Sequence, residues 1–165
     1  MRLRALVVAA FVGLTTLVTG VSANAAPIPD TVITDQFQVR AQSGTVATIC
    51  SIQLRAQWPS DTANVRIAFQ GRTNCGAPMI MTGQAALYNE TRQVEQVGPR
   101  FGFAYLYQGL SAGSYNPVTR GAEQILGYTT TVVAPQGQVW RQAPRQCTGL
   151  YTRVLNCSFE RSFVV

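Results

Sequence analysis

Few residue types in this chain could do chemistry, and one run has the spacing of a catalytic serine. Gly109-Leu110-Ser111-Ala112-Gly113 matches G-x-S-x-G, the strand-to-helix elbow that exposes the nucleophile of many hydrolases. That chemistry needs a histidine to accept the serine proton and a helix after the serine. The 165 residues contain no histidine, and Asn116-Pro117 opposes a helix starting at the serine. A serine–lysine pair is excluded as well, because every basic residue is an arginine. The run reads instead as a glycine-rich turn.

The same absences remove histidine-ligated metals, Schiff-base chemistry and the lysine-dependent phosphate loop. What remains is carboxylate chemistry from Asp30, Asp35, Asp61, Glu90, Glu95, Glu123 and Glu160. Two carboxylates across a cleft can cleave a glycosidic bond, but no spacing here singles out a pair. No calcium-loop pattern is present either. The expectation is a protein without catalysis, metal or cofactor, with a small carboxylate-dependent hydrolase as a remote alternative.

Four cysteines, Cys50, Cys75, Cys147 and Cys157, are the strongest structural signal. They lack the close C-x-x-C pairs of zinc sites. The N-terminus reads as an export signal: Arg2 and Arg4, an apolar run from Ala5 to Leu14, then Ala23-Asn24-Ala25 as a cleavage site. Residues 1–25 are therefore expected to be a signal peptide, and residues 26–165 one domain that is exported and oxidised. The leader's apolar core, interrupted by Gly13, Thr15, Thr16 and Gly20, is short for a membrane span of about 20 residues, and no later stretch is long and apolar enough to be one. Beyond the leader, 11 arginines face seven carboxylates, a net charge of +4. The arginines are scattered singly, which argues against nucleic acid and leaves only weak attraction to anionic cell-wall polymers.

The elements that must position these residues show a period of two. In Val46–Trp58 the even positions are mostly apolar while Ser51, Gln53, Arg55 and Gln57 are polar, the pattern of a half-buried antiparallel strand. After turn residues, Val65, Ile67 and Phe69 alternate with polar or small neighbours, so the two runs predict a hairpin. Pairing Trp58 with Val65 sets Cys50 opposite Thr73, one diagonal step from Cys75. Cys50–Cys75 is the favoured first bridge. Cys147–Cys157 is the second, closing a hairpin with Tyr151, Thr152 and Arg153 at its tip, although sequence leaves three connectivities open. Further strands are expected near Thr34–Ala41, Met79–Tyr88, Phe101–Gln108, Ile125–Ala134, Gln138–Arg141 and Phe159–Val165, with a long loop over Gly113 to Gln124. The predicted fold is all-β: a single-domain antiparallel β-sandwich, immunoglobulin-like, with about 7–9 strands and two disulfides.

Two features could carry recognition. Phe101, Phe103, Tyr105 and Tyr107 alternate with Gly102, Ala104, Leu106 and Gln108, making one strand face aromatic. Exposed, that face would stack on sugar rings or anchor a protein partner; buried, it is a core face. The second is the tip Tyr151-Thr152-Arg153, near Arg141 and Arg145. A stapled loop presenting an arginine is a way to inhibit trypsin-like proteases, and otherwise a plain hairpin.

Gly109-Leu110-Ser111-Ala112-Gly113-Ser114-Tyr115 resembles a turn common in secreted prealbumin-like and other immunoglobulin-like β-sandwich modules. The leader, the all-arginine basic set and the Trp140…Cys147…Cys157 segment are similar to small secreted proteins of actinobacteria. The resemblance implies a fold and no activity. The expected function is a secreted, non-catalytic binding protein whose partner is an extracellular protein or glycan, with protease inhibition through the Cys147–Cys157 loop as the alternative.

Overall fold

Side chains that alternate in polarity can hide one face only by forming strands. Strands dominate the computed structural model, which describes residues 31–59, 63–114 and 117–165. The expected leader lies outside the described residues, as do Asp30, Asp61 and Tyr115. The strands are β1 (Thr31–Ser43), β2 (Val46–Trp58), β3 (Asn64–Val65), β4 (Ala68–Asn89), β5 (Val94–Val97), β6 (Phe101–Ser114), β7 (Val118–Thr119), β8 (Glu123–Val133), β9 (Val139–Gln142), β10 (Cys147–Thr148) and β11 (Val154–Val164). Among the described residues there is no helix, and none long and apolar enough to cross a membrane.

Nine strands form one antiparallel sheet. Its path runs β10-β11-β8-β4-β2-β1-β9, with β5 and β6 both lying against β4, while β3 and β7 pair separately. The spine is β4, 22 residues long. Its first part, Ala68 to Cys75, pairs with β2; from Ile80 to Asn89 it pairs with β8. Between them lies Pro78, which has no N–H to give a neighbour and so suits a bulge. The β4–β6 register shifts on both sides of Met79, and bulges of this kind bend a strand. Creased there, the sheet curls into a half-barrel whose two halves face each other.

The core lies between those halves. Phe37 of β1 stacks on Phe159 of β11, and Trp58 of β2 on Phe163 of β11, with ring centroids 4.1 and 4.9 Å apart. Ile52, Leu54, Phe69, Met81, Leu126, Val132 and Leu155 fill the space between. Each such side chain stabilises by roughly 1.5–3 kcal/mol when fully buried. At the rim, Arg161 of β11 bridges to Asp35 of β1 at 3.3 Å.

Both expected disulfides form, Cys50–Cys75 and Cys147–Cys157, and no described cysteine is free. The register of the first differs from expectation: Cys50 lies directly opposite Cys75, because β2 and β4 pair two residues further along. Val65 leaves the hairpin to pair with Val118 in the small β3–β7 sheet, and this lengthens the connection. A shift of two preserves the buried face, so the apolar pattern alone does not distinguish the two registers.

Two further expectations are corrected. The stretches around Val65–Gln70 and Met79–Tyr88 are not all separate strands, since β4 runs from Ala68 through Met79 to Asn89 with β6 beside both parts. The glycine-rich run is not a turn either, since Gly109 to Ser114 continues β6.

Candidate functional site

The serine of the G-x-S-x-G run faces inward. Ser111 is fully buried, opposite Gly71 of β4 and beside Tyr128. The glycines around it are explained by neighbouring rings: a Cβ on Gly109 would collide with Phe101, and one on Gly113 with Phe69. The motif is thus a stripe of small residues under large ones, in an extended strand.

Tyr128 anchors a cluster of buried hydroxyls. Its Oη lies 3.2 Å from Thr73 Oγ1, which is 3.3 Å from Thr130 Oγ1, and the Thr130 hydroxyl donates to the Thr82 carbonyl at 2.7 Å. Burial pushes the Tyr128 pKa from 10.0 up to about 12, against the opposing pull of its hydrogen bonds to Thr73 and Thr130.

The described carboxylates are dispersed. Asp35 and Glu160 are in ion pairs with Arg161 and Arg92, and Glu90, Glu95 and Glu123 are exposed. No group of metal-ligating side chains occurs among the described residues.

The aromatic strand is split. Phe101 is buried opposite Gly83, but Phe103, Tyr105 and Tyr107 are 51%, 81% and 57% exposed. The expectation of one aromatic face fails because β6 does not keep its period. Its positions opposite buried residues of β4 are Phe101, Phe103, Leu106, Gly109, Ser111 and Gly113, so two steps of three residues interrupt the steps of two. Tyr105 occupies the first of these bulges with φ +64°. An L-residue there costs about 1–2 kcal/mol, and such strain gathers at functional sites. Among the described residues β6 pairs only with β4, and no described strand pairs with its other edge. The inserted residue in β6 carries no sequence mark, since no glycine or asparagine stands at position 105.

The Cys147–Cys157 tip is held down. Tyr151 N–H donates to the Trp140 carbonyl and Trp140 N–H to the Thr152 carbonyl, at 2.7 and 2.9 Å. Arg141 lies over the Tyr151 ring, 5.4 Å from its centroid. The carbonyl of Arg153 accepts from Ala134 N–H and Trp140 Nε1, and its guanidinium donates to the Ala134 carbonyl. An inhibitory loop must offer that carbonyl to a protease's oxyanion hole; here it is already occupied.

Sequence reasoning did not single out one broad hollow of the surface. It lies on the outer face of β4, β8, β11 and β10, has a volume of about 490 Å³, and includes Thr82, Gln84, Arg100, Thr131, Thr148 and Asn156 in its lining. Among the described residues no carboxylate lines it. Alternating polar residues in each strand signalled an outward face, but only strand order places them side by side.

Fold and site together define an all-β protein stapled by two disulfides, bonds that suit an oxidising compartment. No family model matches the chain, and no curated protein or solved structure matches it either.

Proposed function

We propose that this is an exported, non-catalytic binding protein that engages an extracellular protein or glycan along the outer edge of β6. The observation that carries the reading is the bulge that holds Tyr105 in a left-handed conformation, exposed between Phe103 and Tyr107. Exposed aromatic side chains supply large contact area at low conformational cost, and an unpaired strand edge adds a row of backbone donors and acceptors. Export is supported by the N-terminal pattern of Arg2, Arg4 and Ala23-Asn24-Ala25 and by the two disulfides.

A photo-crosslinking benzophenone residue in place of Ala104 tests the reading. Irradiated in the producing cell's envelope and culture fluid, it should give a discrete adduct. The same group in place of exposed Val46, at the start of β2, should give none. The adduct should vanish in a Phe103→Ser/Tyr105→Ser/Tyr107→Ser background; equal labelling from both positions, or none from position 104, refutes the proposal.

A further inference from the structure

The floor of the 490 Å³ trough is a straight rank of polar side chains. Thr82, Thr131, Asn156 and Thr148 lie opposite one another in register across β4, β8, β11 and β10. With strands about 4.8 Å apart, the rank sets three hydroxyls and one amide over roughly 14 Å. The Thr131 hydroxyl donates to Asn156 Oδ1 at 2.7 Å, which leaves the amide nitrogen to donate outward. At one end stands Arg100, which donates to Gln84 Oε1 at 3.3 Å, while Gln84 Nε2 donates to the Gly98 carbonyl. At the other end the Cys147–Cys157 bridge ties two-residue β10 to β11 and so holds Thr148 in the rank.

The volume falls within the usual range for small-ligand sites, about 300–1,000 Å³. The lining is unlike that of a typical such site, however, because polar side chains dominate it. Hydroxyls and amides both donate and accept, so the rank complements a ligand whose own groups do both. An apolar ligand would leave these groups unpaired, at a cost. The guanidinium, with no carboxylate among the described lining residues, calls for one negative charge.

We propose that this trough binds an acidic saccharide, with sugar hydroxyls along the Thr82–Thr148 rank and a uronate carboxylate on Arg100. The site goes beyond the β6 edge and stands independently of it.

Digalacturonate and cellobiose are the probes, titrated into the isotope-labelled oxidised protein and followed by amide chemical shifts. Digalacturonate should shift the amides of residues 82–84, 129–131 and 156–158 saturably, and cellobiose should shift the same amides at higher concentration. Arg100→Ala should weaken digalacturonate about tenfold and leave cellobiose unchanged; Thr131→Val should weaken both. Equal digalacturonate affinity in Arg100→Ala and the parent overturns the assignment of the carboxylate. Shifts confined to residues 101–107 overturn the trough in favour of the aromatic edge. No saturable shift with either probe also overturns the trough, while the crosslinking result at position 104 stands on its own.

Discussion

Phe37 and Phe159 stack with centroids 4.1 Å apart although their strands share no ladder. The contact joins the two halves of the sheet through the core, in addition to the backbone hydrogen bonds between Trp140 of β9 and the Tyr151–Thr152 tip. Phe159 is fully buried and Phe37 half-buried. Phe159→Ala should therefore cost about 3–5 kcal/mol, within the range for large-to-small core substitutions. Phe37→Ala should cost less. Urea unfolding measures both, and a Phe159→Ala cost near zero would mean that the halves do not pack as described.

Tyr128 makes stability depend on alkaline pH. Its folded pKa of about 12 lies above the ordinary 10.0. Below pH 10 both folded and unfolded chains keep the phenol proton, and the stability is fully present. Between pH 10 and 12 the unfolded chain loses that proton while the folded chain retains it, so stability falls. A shift of this size is worth about 2–3 kcal/mol over the whole window. Tyr128→Phe should shrink that alkaline loss while costing about 1 kcal/mol at neutral pH, because Thr73 loses a partner. Thermal melts from pH 8 to 12 supply the comparison; identical alkaline slopes in parent and variant would remove Tyr128 as the cause.

The strands and bridges were legible in the sequence because they follow from local rules. Alternation in Val46–Trp58 marks β2 residue for residue, and the cysteine positions suit two hairpins. The crease was not legible, since Cys75-Gly76-Ala77-Pro78 reads as a break when only local preference is considered. The strand stays whole because β6 pairs with β4 before and after it. Position 105 fails for a related reason: the extra residue in β6 is fixed by its partner strand, and nothing in Phe103-Ala104-Tyr105-Leu106 announces it. Thr148 and Asn156 face each other within the Cys147–Cys157 hairpin, but their alignment with Thr131 of β8 and Thr82 of β4 is a property of the fold alone.

The two disulfides should separate stability from binding. Their cysteines are 25 and 10 residues apart, so loop closure assigns each bridge about 3 kcal/mol, slightly more for the longer loop. Cys50→Ala/Cys75→Ala and Cys147→Ala/Cys157→Ala should lose comparable stability. Only the second pair should also weaken digalacturonate, because β10 and Thr148 then lose their covalent tie to β11. Denaturant midpoints and shift titrations on both variants test this, and weakening by the first pair alone would contradict it.

Tyr105→Gly should raise stability and lower binding at the same time. Glycine adopts φ near +64° without the Cβ penalty that tyrosine bears. The tyrosine ring is 81% exposed, so little packing is lost on its removal. Against this, glycine gives the unfolded chain more freedom, which takes back about 0.5–1 kcal/mol. The balance is a gain of up to about 1 kcal/mol for Tyr105→Gly and none for Tyr105→Ala, which keeps the Cβ. Both variants should lose the adduct formed from position 104, because the ring is gone in each. A strained aromatic residue retained at a cost in stability is the pattern expected of a binding residue. Tyr105→Gly less stable than the parent, with the adduct intact, would instead make the bulge a structural feature with no part in recognition.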